Sequence, residues 1–340
     1  MSRRPFTPSS LICVVVIGRN EGERLARCLA SVKAATWPQL ELIYVDSGST
    51  DHSIAVAKAA GAHVLQSLAP GAAAARNRGW QACHADWVMF LDGDTVLDAE
   101  FLLQAYHAMQ SQDVVCVWGH RRELNPRQSI YVRVLDLDWC YPAGETLFCG
   151  GDALFYRPAL MAVAGFNSAV LAGEEPELCH RLRQAGGVIL HIDHLMTQHD
   201  LAITHFDQYW QRAVRAGYAY LAVSQSCGSF WHDEVRHNLR QTMIILLLLS
   251  TSLLLALVGI QGWGMPLLIL LGLILRSAWR ARWRSEQVLT LLLYGVHSWF
   301  EQLPVSWGIW RCWRDLQQKS PAPLIEYKAI DCKTRKGESS

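Results

Sequence analysis

The sequence has almost no net charge. Its 340 residues include 31 Lys and Arg against 30 Asp and Glu, which leaves a net charge of +1 with neutral His. Proteins that bind nucleic acids use a basic field to attract phosphates. This composition provides no such field, so we expect no nucleic-acid partner.

Paired cysteine motifs are also missing. The 10 cysteines include no Cys-x-x-Cys, and several lie in apolar runs such as residues 11–17. This pattern argues against a zinc or disulfide framework and favours buried thiols in a reducing cytosol. The run 11–17 is too short for a secretory signal before Arg19, so it predicts a buried strand and no cleaved leader.

A long apolar run is absent before residue 240 and present after it. Residues 242–261 carry no charge, and about 20 such residues span the ~30 Å core of a bilayer. A second apolar stretch, 267–275, ends in an arginine-rich segment, which predicts a transmembrane hairpin over 241–276 with its basic end in the cytoplasm. The alternative is a buried helical hairpin in a soluble fold.

The remaining C-terminal sequence predicts membrane contact without a clean span. Residues 277–316 carry several Trp and Arg residues, which is typical of a basic loop followed by an interfacial or re-entrant helix. Residues 317–340 would be a cytoplasmic tail. We therefore expect a multi-pass protein of the cytoplasmic (inner) membrane that contacts membrane lipids, with domain 1–240 facing the cytoplasm.

Residues 1–240 alternate short apolar runs with helical patterns. Strands are predicted at 11–17, 40–45 and 87–91, with amphipathic segments between them. A further strand is predicted at 114–118, a loop at 121–126, a helix at 129–142 and a strand at 187–192. This order predicts an α/β fold, a Rossmann-like and mostly parallel sheet with helices on both faces.

Polar clusters follow three of the predicted strands, at residues 19–21, 46–51 and 92–94. The carboxyl ends of parallel strands meet at one edge of the sheet, where ligands bind. Asp92-Gly93-Asp94 alone is a common tight turn. Directly after a strand, however, its two carboxylates suit Mg²⁺ or Mn²⁺ that is shared with substrate phosphates.

A second acidic group, Glu174, Glu175 and Glu177, precedes Arg181. Its structural interpretation is an acidic helix N-terminus with Glu177 and Arg181 as an i,i+4 pair. Its functional interpretation is a general base, because clustered carboxylates raise one another's pKa. The residues leave both interpretations open.

Taken together, these segments resemble glycosyltransferase family 2, with a GT-A fold. The matching pieces run in the expected order, and they are Gly18-Arg19-Asn20-Glu21, Val45-Asp46-Ser47-Gly48-Ser49-Thr50-Asp51, Ala75-Arg76-Asn77, Leu91-Asp92-Gly93-Asp94, Gly150-Gly151-Asp152-Ala153-Leu154-Phe155 and Gly173-Glu174-Glu175-Pro176-Glu177. They cover residues 11 to about 200. The processive members' Gln-x-x-Arg-Trp is not matched by residues 208–212, which argues against a processive synthase.

The resemblance implies a role for each matching residue. Asp94 would be the main metal ligand with Asp92 beside it, and Glu175 the base, with Glu174 as substitute because the family more often has Asp at position 175. Donor contacts would come from Asn20, Glu21, Asp46, Asp51, Arg76 and Asp92. The acceptor side would include Gly151, Asp152, Glu177 and Arg181. His199 is either a further metal ligand or a polar loop histidine.

The resemblance also implies the reaction, a metal-dependent transfer with inversion from a nucleotide-sugar donor, UDP-linked, to a lipid-linked saccharide or polyprenyl phosphate in envelope or exopolysaccharide assembly. One alternative is a catalytically silent nucleotide-sugar-binding membrane scaffold of an export complex. Another is a nucleotidyltransferase, which would want a Gly-rich phosphate loop that Gly18-Arg19-Asn20-Glu21 does not provide.

Overall fold

The structure is a computed structural model that describes residues 6–111, 113–170, 172–228 and 230–318. Its chain divides into two compact units: unit 1 runs to residue 125 and from 139 to 201, and unit 2 comprises 126–138 and the residues from 202 onward. The chain therefore passes between the units at 125/126, 138/139 and 201/202. The domain bounds 1–240, 241–276 and 277–316 stay predictions. Residues 319–340 of the expected tail lie outside the described residues.

Unit 1 alternates strands and helices, as the apolar patterns predict. Its strands are β1 (Ile12–Gly18), β2 (Leu40–Asp46), β3 (His63–Gln66), β4 (Trp87–Asp92), β5 (Thr95–Leu97), β6 (Val114–Glu123), β7 (Gly144–Glu145), β8 (Ala153–Tyr156) and β9 (Val188–His199). Its helices are α1 (Gly22–Lys33), α2 (Ser53–Ala59), α3 (Ala72–Ala82), α4 (Phe101–Ala108), α6 (Arg157–Ala162) and α7 (Glu174–Gln184).

The described strands form one mixed sheet in the order β3-β2-β1-β4-β8-β6-β9-β5, with β7 beside β9. Strands β3, β2, β1 and β4 are mutually parallel, whereas β8 is antiparallel to both neighbours. Residues 12–16 of β1 are fully buried, which explains their continuous apolar run. The predicted α/β, Rossmann-like fold is confirmed.

Element boundaries differ from the predictions in the second half of unit 1. The predicted loop 121–126 is wrong at its start, because β6 continues to Glu123 in parallel pairing with β9. Strand β9 ends at His199, well beyond the predicted 192. Register shifts between β6 and β9 mark bulges, which break the two-residue periodicity that identifies a strand.

One cysteine pair departs from the expectation of free thiols. Cys13 in β1 and Cys83 after α3 form a disulfide, with Cα atoms 6.1 Å apart. The two residues are 70 apart in sequence, so only the packing of α3 against β1 brings them together. Seven other cysteines of the described chain form no disulfide, and Cys332 lies outside the described residues.

Unit 2 is helical. Its helices are α5 (Ile130–Asp138), α8 (Phe206–Ser226), α9 (His232–Leu257), α10 (Met265–Arg280), α11 (Val288–Phe300) and α12 (Gln302–Gln317). Helices α8 and α12 approach closely through glycine, since a Cβ on Gly217 would overlap the backbone of Val305 and one on Gly308 that of Val214. Helix α5 ends at Asp138, four residues before the predicted end at 142.

A buried polar cluster connects three helices of unit 2. Nε2 of His297 lies 3.0 Å from Asp138 and 3.3 Å from Glu301, and its Nδ1 is 2.7 Å from the hydroxyl of Tyr209. Tyr294 donates to the same Asp138 at 2.9 Å. These contacts join α5, α8 and α11. They also give the buried charged groups of the cluster hydrogen-bonding partners, without which their burial would be costly.

Among the described residues, only α9 is both long and apolar enough to span a membrane. Its Leu247 and Leu254 are 65% and 62% exposed, so this apolar surface is not covered within the described chain. Helix α10 has 16 residues, about 24 Å at 1.5 Å per residue, which is short of a ~30 Å core. A hairpin of two full spans is therefore not confirmed.

Candidate active site

Two loops at the carboxyl edge of the sheet are tied together by Asn20. This residue follows β1 with a left-handed φ of 57°, a conformation that Asn tolerates better than most residues. Its Oδ1 accepts from the backbone N–H of Thr50 at 2.7 Å, and its own N–H donates to Ser49 at 2.9 Å. The loops after β1 and β2 therefore hold each other in place.

Asp46 shapes the loop that follows β2. Its Oδ2 accepts from the backbone N–H groups of Gly48 at 2.9 Å and Ser49 at 2.8 Å, and Tyr44 donates to Oδ1. Asp46 is buried. In this arrangement the carboxylate of Asp46 orders the loop after β2. Any contact with a nucleotide-sugar donor would then be made by residues of that loop.

Glu21 and Asp51 occupy the same two loops. Glu21 pairs with Arg24 at 3.0 Å. Asp51 accepts from the N–H of Ser53 at 2.9 Å. Burial raises the pKa of Asp51, but hydrogen bonds, chiefly those with Ser53, lower it by more. The net pKa lies below the usual value for Asp, so this carboxylate is ionised at neutral pH.

Asp92, Asp94 and His199 converge at the end of β4. Asp92 is the last residue of β4, and β5 then pairs antiparallel with β9 so that Thr95 lies opposite His199. Nδ1 of His199 is 3.8 Å from Oδ1 of Asp94. One ligand atom from each of the three residues lies within 4.8 Å of the others, so this is a possible metal-binding group.

The donor set of this group fits a divalent cation. Nδ1 of His199 is buried without a hydrogen-bond partner, and such orphaned polar atoms are rare in proteins. Burial lowers the pKa of His199, but Asp94, Asp152 and Asp92 together raise it by more, because these carboxylates make the site negative and favour a positive charge there. Two carboxylates and one imidazole suit Mn²⁺, and the carboxylates suit Mg²⁺.

Asp152 forms hydrogen bonds with two residues of this possible metal-binding group, Asp92 and His199. The side chain is fully buried and accepts from the N–H of Asp92 at 2.9 Å, from the hydroxyl of Thr197 at 2.8 Å and from His199 at 3.1 Å. Burial raises the pKa of Asp152, but His199, Arg121 and the backbone N–H of Asp92 together lower it by more. As placed, Asp152 has no exposed surface to offer an acceptor.

Arg76 connects the metal group to the acidic helix α7. Its guanidinium is 2% exposed and lies 2.9 Å from Asp92, 3.0 Å from Glu174 and 2.9 Å from Glu175. Burial and Glu174 raise the pKa of Glu175 to about 7, although Arg76 opposes the shift. A carboxyl with this pKa exchanges protons readily near neutral pH.

Gly151 makes room for this arrangement. A Cβ at that position would lie 2.8 Å from both Nη2 of Arg76 and Oδ2 of Asp92. Any larger residue would therefore displace one of the two. Gly151 belongs to the site by its small size.

Glu177 and Arg181 pair with each other in the structure. Nε and Nη2 of Arg181 donate to Glu177 at 2.8 and 2.7 Å, and the guanidinium also donates to the carbonyls of Val163 and Gly165. This is the i,i+4 pair of the structural interpretation. An acceptor role for either residue remains a prediction.

Two features of the site are not predicted by the sequence: the presence of Thr197 beside Asp152, and the contact of Arg76 with the acidic helix α7. Thr197 and His199 are two residues apart on β9 and share a face of the strand, a signal that becomes readable once β9 is known to reach residue 199. For Arg76, 98 residues from Glu174, no local pattern indicates the partner.

Part of the sequence matches a known family. Residues 13–161, less than half of the chain, match the sequence model of glycosyl transferase family 2. This part of the chain is similar to that family. The matched family 2 segment contains Asp92, Asp94 and Asp152 and ends before Glu175 and His199, whose inclusion in the site rests on the structure.

Curated relatives are similar to part of the chain. Glycosyltransferase GlyG of Streptococcus pneumoniae is 30% identical over 139 residues, 39% of this chain and 46% of that protein. A TPR repeat-containing protein of Synechococcus elongatus is 41% identical over 102 residues, 30% of this chain and 23% of that protein. The chain thus spans less than half the length of these relatives.

A solved structure shares the fold over most of the chain. It is the mannosyltransferase PcManGT from Pyrobaculum calidifontis in complex with GDP-Man and Mn²⁺, with a TM-score of 0.63 over 85% of this chain and 87% of that one. The two sequences are 17% identical, so the likeness concerns the fold. The predicted GT-A fold is confirmed.

Proposed function

We propose that the protein is a metal-dependent, inverting glycosyltransferase. It would move a sugar from a nucleotide-sugar donor, UDP-linked, to an acceptor hydroxyl. The observation that carries this proposal is the convergence of Asp92, Asp94 and His199 at the carboxyl edge of the sheet, with Glu175 tied to Asp92 through Arg76. The match of residues 13–161 to the family 2 model and the metal-compatible set of ligand atoms support the same reaction.

The residues divide the reaction between two groups. Asp94, Asp92 and His199 would hold Mn²⁺ or Mg²⁺, which when bound stabilises the negative charge of the departing diphosphate. Glu175 accepts the proton of the acceptor hydroxyl while the hydroxyl oxygen attacks the anomeric carbon of the donor sugar. The bond between that carbon and the diphosphate breaks in the same step. Attack opposite the leaving group inverts the anomeric centre.

Arg76 would keep these two groups in register. It contacts Asp92 and Glu175 with the same guanidinium, so metal group and base cannot shift independently. Asn20 and Asp46 order the two loops after β1 and β2, where we place the nucleotide, with Glu21 and Asp51 on the same rim. We keep Gly151, Glu177 and Arg181 on the acceptor side as proposals.

The acceptor we propose is a lipid-linked saccharide or polyprenyl phosphate of envelope or exopolysaccharide assembly. The support is α9, whose length and exposed leucines suit a bilayer. Helix α10 ends with Arg280, next to Arg282 and Arg284 in sequence. By the positive-inside rule this end would face the cytoplasm of the inner membrane.

Thermal unfolding of the full chain in detergent tests the donor and metal assignments. UDP- and GDP-sugars are added with Mn²⁺, with Mg²⁺ or with chelator, to the wild type and to Asp94→Ala. We expect one nucleotide class to raise Tm only with metal, because ligands that bind the folded state stabilise it, and we expect no rise in Asp94→Ala. An equal rise in the variant would refute the metal assignment.

Nucleotide release separates the enzyme from the silent scaffold. With the stabilising donor, the enzyme should release nucleoside diphosphate in a metal-dependent way, and Glu175→Gln should slow transfer at least about 100-fold. Binding without any release in the presence of lipid-linked acceptors would favour the scaffold.

A further inference from the structure

We infer that Asp152 is a positioning residue that sets the tautomer of His199, so that Nδ1 carries the lone pair for the cation. The inference rests on the proposed function, because it assigns the cation to the group formed by Asp92, Asp94 and His199. It changes the role assigned to Asp152 from an acceptor-side residue to a residue that hydrogen-bonds a metal ligand, His199.

The hydrogen bonds of Asp152 determine which nitrogen of His199 carries a proton. Its Oδ1 accepts from the backbone N–H of Asp92, and its Oδ2 accepts from both the hydroxyl of Thr197 and Nε2 of His199. An ionised carboxylate only accepts hydrogen bonds. Nε2 of His199 must therefore carry a proton.

The other ring nitrogen then has the opposite role. With the proton on Nε2, the neutral imidazole presents a lone pair at Nδ1. Nδ1 is the buried atom without a partner, 3.8 Å from Asp94. Carboxylates that fix a ligating histidine in this way contribute to metal affinity without touching the metal.

Replacing Asp152 with Asn would put a hydrogen-bond donor in place of the acceptor oxygen that faces Nε2 of His199. If the amide oxygen keeps the bond to the N–H of Asp92, the NH₂ group faces Nε2 of His199. His199 then has to accept at Nε2 and carry its proton on Nδ1, where a cation would otherwise bind. We expect Asp152→Asn to weaken Mn²⁺ binding about tenfold or more, as outer-shell changes do.

The test is a titration of the full chain in detergent with Mn²⁺ alone, followed by the EPR signal of free Mn²⁺. The variants are Asp152→Asn, His199→Ala and the double variant, with Thr197→Val as a control that removes a donor to Asp152 but leaves its contact with His199. We expect Asp152→Asn to cost affinity in the wild type and nothing further in the His199→Ala background. Thr197→Val should stay within about threefold.

A second pair of variants tests the ligating atom without relying on Asp152→Asn to fold. The amide of Asn reaches the position of a histidine Nδ1, and that of Gln reaches the position of Nε2. We therefore expect His199→Asn to bind Mn²⁺ more tightly than His199→Gln.

Two results would overturn the inference: an equal loss of affinity from Asp152→Asn in both backgrounds, which marks a merely structural role, or tighter binding by His199→Gln. Failure of the proposed function gives a different result, namely unchanged Mn²⁺ binding in Asp94→Ala.

Discussion

The pH dependence of transfer should be set by Glu175, which is buried and lies near the carboxylate of Glu174. The pKa of Glu175 is raised to about 7 by burial and by Glu174. A general base works only when deprotonated, so we expect kcat/KM to rise with pH and to reach half its maximum near pH 7. Activity is lost as the pH falls through that value.

Glu174→Gln should move this midpoint to lower pH. Nη1 of Arg76 lies 3.0 Å from Glu174 and 2.9 Å from Glu175. Their oxygens are thus at most about 6 Å apart, where two unit charges interact by about 3 kcal/mol at an effective dielectric of about 20. That energy equals about 2 pKa units, so the midpoint should move from about 7 toward about 5.

The assay is metal-dependent release of nucleoside diphosphate between pH 4.5 and 9 for the wild type and the variant, a range of about four units around the expected midpoints. Glu177→Gln is the matched control, because Glu177 lies on the same helix but pairs with Arg181, and it should leave the midpoint in place. A midpoint that does not move in Glu174→Gln would refute the reasoning, as would equal shifts in both variants.

Two further predictions concern glycines that are needed for their size. Gly151→Ala should reduce nucleotide release at least about tenfold, because its Cβ would lie 2.8 Å from Arg76 and Asp92; activity equal to wild type would contradict the close packing. Gly308→Ala should lower the free energy of unfolding by about 1–3 kcal/mol, measured in detergent with urea. Gly272→Ala, also on a helix but with no atom near its added Cβ, should not lower it.

The sequence alone was sufficient for the first half of unit 1. Apolar runs such as residues 11–17 are buried as strands, and the intervening helical patterns are helices. Consecutive strands with crossover helices pair in parallel and place their following loops at one edge. Asp46 and Asp92 could therefore be assigned to the same edge without coordinates.

Cysteine pairing and the second half of unit 1 were less readable. The disulfide between Cys13 and Cys83 depends on how α3 packs against β1, which no spacing in the sequence records. Bulges between β6 and β9 hide the length of both strands. Consequently the end of β9, and with it His199, looked like part of a loop.

Sequence by itself determined the kind of chemistry, since two carboxylates after a buried strand and an acidic helix start are both local patterns. Tertiary structure decided which of these residues touch. His199 reaches Asp94 only through the antiparallel register of β5 and β9. Arg76 on α3 reaches Glu174 and Glu175 only because the fold brings its guanidinium to the start of α7, beside Asp92 at the end of β4. Contacts of this kind depend on strand register and helix packing, which many distant residues set together.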